Sequence, residues 1–532
     1  MPVREWWMVR RSLHARPRLI GSAALLGVWA LAGCPGSTGS SGDFDPRVHG
    51  FGFENYTNEE MRTNLTEADV WRLFGDGVCE RGSGEGCELT TPARQWMEQA
   101  SSEMRHGHCE GMAVLSLRMF RGDTRVTDFG AATANALAID DNERLQREIA
   151  YWFSIQSLEP YASTELHGTP MEQVERLRTS FADGRPAYTI GFFQRDETGG
   201  HAVAPYDVRE RDDGNLEILV YDNNAPNEER AIVVDPMANT WSYRASTDPS
   251  VTEGEYEGDA TTDTLRLGPL AAREGRMTCP FCGERTGDAT AQRRVDVDGD
   301  ASARIVDAEG RQVGHVGDEV VNDIPGAQVI ATRSGDLWDD REEPTYALPN
   351  SGDLEIFLSG EDRAAEDASL GVYAPGLYVG IEGLLLAVGQ TDRVRLYAGG
   401  EAVTYETSGM ETPDVVLAYS TDAADWLVVL RSRGDSNGQT LDAQLNAELG
   451  LLFARFTRAD AESQFDLYVL RVDGSTELEF FADMIAVPNG ARLTLHYGTF
   501  DADGDALVLD VDVFGDGTMV ESVDLLDEAG GL

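Results

Sequence analysis

Cys109 stands directly before an apolar, helix-periodic run, in Arg105-His106-Gly107-His108-Cys109-Glu110-Gly111-Met112-Ala113. A thiol in the first turn of a helix feels the positive end of the helix dipole, which favours the nucleophilic thiolate. His201 opens a strand-like run in Gly199-Gly200-His201-Ala202-Val203, and Asp222 closes the next in Val220-Tyr221-Asp222-Asn223-Asn224. These residue types in this order suit acyl transfer. Cys109 would attack a carbonyl carbon, His201 would take the thiol proton and return it to the leaving group, and a third group would orient the imidazole. Asp222 is the candidate for that third place, because a hairpin would set it beside His201. Asn223 and Asn224 are alternatives, since an amide also orients a ring. His106 and His108 flank the thiol, but His108 is adjacent to Cys109, which makes joint metal coordination awkward. They are read as shaping the turn into the helix, and no metal or cofactor is expected.

The elements that must position these residues are legible from periodicity. Helices are expected over 66–74, where Thr66 and Asp69 form a capping pattern, over 91–104, from 109 with Met112, Leu115 and Met119 on one face, over 142–155, and from Thr169-Pro170 onward. Strands are expected over 187–193, 201–208, 216–221 and 231–234. Residues 50–247 therefore read as an α+β domain. Residues 248–291 turn polar and glycine-rich and read as a connector carrying Cys279-Pro280-Phe281-Cys282. In 292–532, short strand-like runs separated by turns imply an all-β, sandwich-type region of one or two domains. No fixed-period repeat is evident. Asp296-Val297-Asp298-Gly299-Asp300 and Asp501-Ala502-Asp503-Gly504-Asp505 look like calcium-loop fragments without the closing glutamate, and read as solvated turns.

The segments Gly107-His108-Cys109-Glu110-Gly111-Met112-Ala113, Gly200-His201-Ala202-Val203 and Tyr221-Asp222-Asn223-Asn224-Ala225-Pro226 together resemble the papain-like and transglutaminase-like superfamily of cysteine hydrolases. The second hairpin is closer to bacterial papain-like peptidases, because Val203 stands where transglutaminase-like domains commonly carry an aromatic residue. The resemblance covers residues 50–245. It implies a papain-like N-terminal domain, with Cys109 as nucleophile, His201 as base, Asp222 as third member and a protein or peptide as substrate. Papain-like enzymes also place a glutamine shortly before the cysteine as an oxyanion donor. Here Gln95 and Gln99 lie further upstream and Asn55 further still, so the backbone N–H of Cys109 supplies one donor and the second is open among these three. The expected function is that of a cysteine-type peptidase or amidase. Its rivals are a non-catalytic surface binding or adhesion protein on the same scaffold, and an amide cross-linker in which an amine replaces water.

The chain holds 93 acidic against 43 basic residues, all of the latter arginine, for a net charge of −50. Such a surface repels nucleic acid and anionic membranes, which excludes nucleic-acid binding as a function class. At its N-terminus, Arg4, Arg10, Arg11, Arg16 and Arg18 precede a short apolar run, and Leu31-Ala32-Gly33-Cys34 resembles the bacterial lipobox. That implies a signal peptide over 1–33, lipidation of Cys34 and a flexible tether over 34–49. The protein is expected to be exported and held at the bacterial cell envelope by lipid alone. Export implies an oxidising compartment. Cys79 and Cys87 bracket a glycine-rich loop and are expected to form a disulfide, Cys279 and Cys282 a second close pair, leaving Cys109 as a thiol. The sequence names no ligand for the β-region.

Overall fold

In the computed structural model, helices lead the first half. α1 (Glu67–Phe74) begins at the reciprocal cap of Thr66 and Asp69. α2 (Thr91–Glu103) carries proline in its first turn, where the missing N–H costs nothing. α3 (Cys109–Arg121) is buried continuously from Cys109 to Met119, as befits a central helix rather than a surface one. α4 (Glu143–Ser154) is capped by the Asn142 side chain, and α5 (Pro170–Ala182) by Thr169 paired with Glu172. The described residues are 44–532 without 58–61, 196, 246–254, 284–291, 300, 318, 336–342, 361–364, 422, 435–436, 459–461, 475, 501–505, 519 and 529–532. The leader, Cys34, most of the tether and the second acidic loop therefore lie outside the described residues. From Asp43 onward the chain forms one compact unit.

A seven-stranded antiparallel sheet follows the helices. Its strands are β1 (Tyr188–Phe192), β2 (His201–Glu210), β3 (Leu216–Tyr221), β4 (Arg230–Asp235), β5 (Thr240–Arg244), β6 (Glu255–Gly258) and β7 (Leu265–Pro269). The order is β6-β5-β4-β3-β2-β1-β7. Phe192 pairs with His201 and Ala204 with Tyr221, so the register sets the start of β2 beside the end of β3. Ile190, Phe192, Val203, Ile218, Val220 and Leu267 make its core, with Val174 and Leu177 of α5 packed on them. β6 and β7 come from the stretch read as a connector. β6 is hidden by its polar composition, because this edge strand alternates exposed and buried residues, whereas β7 is a short run buried along most of its length.

The rest of the chain is β throughout. A nine-stranded and an eleven-stranded sheet, both antiparallel, enclose one contiguous apolar core running from Val295 to Leu525. Hairpins alternate between the sheets. Those beginning at Ala365, Asp414 and Glu462 join the first, and those beginning at Gln390, Gln439 and Arg492 join the second. This is a structural repeat without a fixed period in the sequence, because alternation of apolar residues is kept while residue identities are not. Asp296 and Asp298 also depart from expectation. They are buried on the strand Gln292–Asp298 and pair with Arg294 and Arg105, each at 2.6 Å, rather than lining a solvated turn.

The sandwich is tied to the helices. Asp425 accepts the Thr91 N–H at 2.9 Å, and Arg294 donates to the Ser157 carbonyl at 2.7 Å. Disulfides join Cys79 to Cys87 and Cys279 to Cys282. The second holds Phe281 against Phe74, Trp96 and the sandwich residue Tyr373.

Candidate active site

Cys109 is the first residue of α3, and its Sγ accepts the Ala202 N–H at 3.2 Å, a donor that suits negative charge on sulfur. His201 donates from Nε2 to Asp222 Oδ1 at 2.8 Å. Asp222 Oδ2 accepts the Tyr243 hydroxyl, and Oδ1 also accepts the Asn224 N–H at 2.8 Å. Cys109, His201 and Asp222 are all buried completely. Burial alone would raise the Asp222 carboxyl, but His201 beside it and the donors from Tyr243 and Asn224 hold it below the usual carboxylate range. Burial, then the Asp222 charge, pushes the Tyr243 hydroxyl well above its ordinary value, so it remains a donor. With Nε2 committed to Asp222, His201 Nδ1 is the nitrogen left to take a proton, and it is buried without a hydrogen-bond partner.

A segment of the sandwich region lies across this cluster. The Ser334 carbonyl accepts the Asn55 side-chain amide at 2.9 Å and the Cys109 backbone N–H at 3.2 Å. The Gly335 N–H donates to the Gly200 carbonyl at 3.0 Å, and the Gly335 carbonyl accepts the Asn224 side-chain amide at 2.9 Å. Gly335 has φ +82, and a Cβ there would lie 2.6 Å from His201 Nδ1, 2.8 Å from Asn55 Nδ2 and 2.9 Å from Cys109 Cβ. The three groups thus face one point, where only a glycine fits. Gly200 is needed on the other side, since a Cβ there would overlap the Thr332 carbonyl.

Arg333 anchors the segment. Its N–H donates to Gln156 Oε1 at 2.8 Å, and its buried guanidinium meets Glu165 and, at 3.3 Å, Glu110. Glu110 also meets Arg273 and accepts from Thr189 at 3.2 Å. Burial would raise this carboxyl, but Arg273 and Arg333 hold it low. Burial likewise opposes the charge of Arg333, and Glu110 and Glu165 more than restore it.

The structure brings Cys109, His201, Asp222 and Asn55 together. Asn55 arrives through its own backbone, which donates to the Asn223 carbonyl at 2.8 Å, and its side-chain oxygen accepts the His108 N–H at 2.7 Å. Asn223 ties the Cys109 and Ala202 carbonyls together at 3.1 and 3.0 Å, while Asn224 holds Gly335. Neither amide reaches the imidazole in place of Asp222 in this arrangement. Gln95 and Gln99 stay on α2, and the two donors on Ser334 are not theirs. His108 is buried against the Tyr56 ring and bonds the Tyr56 carbonyl at 2.7 Å. Burial lowers its pKa to about 4, so the ring is neutral and fixes the turn before the helix. Among the described residues no group of three or more His, Cys, Asp or Glu side chains could hold a metal ion. Sequence reasoning missed Tyr243, whose signal was a tyrosine on the inward face of β5, and it missed the Arg333–Gly335 segment, for which the sequence carries no local signal. No family model, curated protein or solved structure matches the chain.

Proposed function

We propose that this protein is an exported cysteine hydrolase of the papain-like type, cleaving amide bonds through Cys109, His201 and Asp222. The observation that carries the reading is the pair of donors, Asn55 Nδ2 and the Cys109 N–H, meeting on one backbone carbonyl oxygen. Two preorganised donors on a carbonyl beside a thiol are what an acyl-transfer transition state requires. In this reading His201 Nδ1 takes the thiol proton and returns it to the departing nitrogen, and Asp222 keeps the ring in the needed tautomer. The two disulfides support an oxidising compartment, in keeping with export, and with the lipobox-like Cys34 as the anchor.

The test is alkylation of the folded, non-reduced chain at mildly acidic pH, followed by peptide mapping, together with turnover of short peptide amides. Rapid labelling at Cys109 and turnover that vanishes in Cys109→Ala support the reading. One observation favours a second reading, a non-catalytic scaffold with a binding role for the sandwich: Cys109 is completely buried, with the chain's own Ser334 and Gly335 lying against it. A Cys109 inert to alkylation, even with that cover displaced, would establish this alternative.

A further inference from the structure

The residues that cover Cys109 do more than fill space. Thr332 to Gly335 run through the site as a peptide held on both sides of one bond. Arg333 is fixed through its N–H by Gln156 and through its side chain by Glu110 and Glu165. The Ser334 carbonyl takes both donors named above. The Gly335 N–H, on the far side of the same peptide bond, is fixed by the Gly200 carbonyl, and its carbonyl by Asn224. Gly335 Cα lies where a side chain would meet His201 Nδ1. An inhibitory plug needs only to exclude solvent. This one puts a carbonyl on the two donors and turns the residue that follows it toward His201 Nδ1, which suits the placement of a scissile bond.

We propose that the Ser334–Gly335 peptide bond is the protein's own substrate and that Cys109 cleaves it within the same chain. The inference rests on the hydrolase reading above. The Cys109 thiolate adds to the Ser334 carbonyl carbon, and the oxygen takes the negative charge between Asn55 and the Cys109 N–H. Collapse breaks the carbon–nitrogen bond while protonated His201 gives its Nδ1 proton to the Gly335 nitrogen, leaving Ser334 as a thioester on Cys109. Water then adds, its proton goes to His201, and the carbon–sulfur bond breaks. The result is a Ser334 carboxylate, a Gly335 ammonium group that has taken the proton of the new carboxyl, and the regenerated thiolate beside protonated His201, at the expense of one water.

The cut does not separate the halves. The strand Gln292–Asp298, before the bond, lies between Thr345–Pro349 and Ala365–Ala374, both after it. Ser302–Asp307 likewise pairs with Leu354–Gly360. The fragments 1–334 and 335–532 stay joined in the folded state, and cleavage unties the cover from one end. The same contacts define a preference for arginine at the residue before the one that is attacked, read by Glu110 and Glu165.

The test is mass analysis of the purified full chain under denaturing conditions after timed incubation. The expected result is conversion to two fragments with a new N-terminus at Gly335, at a rate independent of protein concentration, and no conversion in Cys109→Ala. A distinguishably tagged Cys109→Ala chain mixed with the parent should stay whole. Two further variants, Gly335→Ala and Arg333→Ala, loosen the cover from opposite ends, so that failure of one to fold leaves the other. If the parent stays whole while either variant becomes rapidly alkylated at Cys109 and turns over peptide amides, the cover is a plug, self-cleavage is overturned, and the hydrolase reading stands. If both folded variants remain inert to alkylation and to substrate, the hydrolase reading itself fails and self-cleavage fails with it.

Discussion

Buried carboxylates serve the two halves of this molecule differently. In the helix-and-sheet half, Asp222, bonded to His201, and Glu110, next to Cys109 in the chain, are both held below their ordinary range against burial, by His201 and the donors from Tyr243 and Asn224 in one case and by Arg273 and Arg333 in the other. In the sandwich, Asp414 and Asp425 are buried as well, but burial pushes them upward, Asp425 to about 6. Asp414 pairs with Arg431 on the neighbouring strand, and Asp425 caps α2. A perturbed buried acid is therefore no marker of chemistry by itself. What sets the first half apart is a partnerless proton acceptor, His201 Nδ1, next to two donors that meet on a carbonyl. The charges there are held in their ionised form by neighbouring partners, whereas those of the sandwich join elements and are pushed toward protonation.

The sharpest way to break this comparison is to remove the acceptor or the nucleophile. Cys109→Ala and His201→Ala are expected to lower turnover of a peptide amide by on the order of 10⁵-fold or more. Asp222→Ala should leave more, with a loss on the order of 10⁴-fold, and Asp222→Asn should be milder still if position matters more than charge. Steady-state kinetics check the ranking. Equal activity of Asp222→Ala and the parent would remove Asp222 from the site's chemistry.

Asn55→Ala comes next. It deletes one of the two donors that meet on the Ser334 carbonyl, so under the proposed chemistry kcat should fall by about 10²–10³-fold with KM little changed. A change confined to KM would make Asn55 a binding residue and leave the oxyanion role unfilled.

Tyr243→Phe is expected to act through Asp222. Without the hydroxyl, the carboxylate loses a donor that favours its charged form, so its pKa rises and activity on the acid side should fail at higher pH than in the parent. At neutral pH the loss should be about tenfold or less, the scale of one hydrogen bond to a charged group. An unshifted acid limb, measured as kcat/KM from pH 4 to 8, would reduce Tyr243 to packing.

Much of this arrangement could be read before the structure, and the limits follow from how the chain encodes it. His201 and Asp222 were legible because one hairpin joins them and its register sets the start of β2 beside the end of β3. The helices announced themselves through caps such as Thr66 with Asp69 and Thr169 with Glu172. Asn55 is not separable from Gln95 and Gln99 by sequence, because a backbone bond to Asn223, far along the chain, is what brings it in. Arg333 to Gly335 were invisible for the same reason. Their place depends on Gly200 leaving room and on Glu110 and Glu165 receiving a guanidinium, and none of these is near them in sequence. The paired sheets followed from alternation, but which hairpin joins which sheet is decided by packing, and alternation alone is blind to it.

The smallest effect on turnover is expected at Asp425, which lies outside the site and tests the other side of the comparison. Its carboxyl is buried and its pKa is pushed up to about 6, against about 3.9 in an unfolded chain. Below the unfolded value the group is protonated in both states and contributes no slope. Between the two values the folded protein keeps a proton that the unfolded chain has released, so raising the pH disfavours the folded state through this window. Above about 6 the group is ionised in both states and the loss is complete. Asp425→Asn cannot ionise, yet its amide oxygen can still accept the Thr91 N–H that starts α2. The variant should therefore gain stability relative to the parent as pH rises from 4 to 6.5, by on the order of 2 kcal/mol, with the difference constant above that. Turnover per folded molecule should be unchanged. The difference in unfolding free energy between the two proteins across that range is the readout, because it cancels the slope from the many other carboxylates. Parallel curves would mean that Asp425 titrates normally in the folded protein, and the contrast between ionised site acids and protonatable sandwich acids would lose its clearest member.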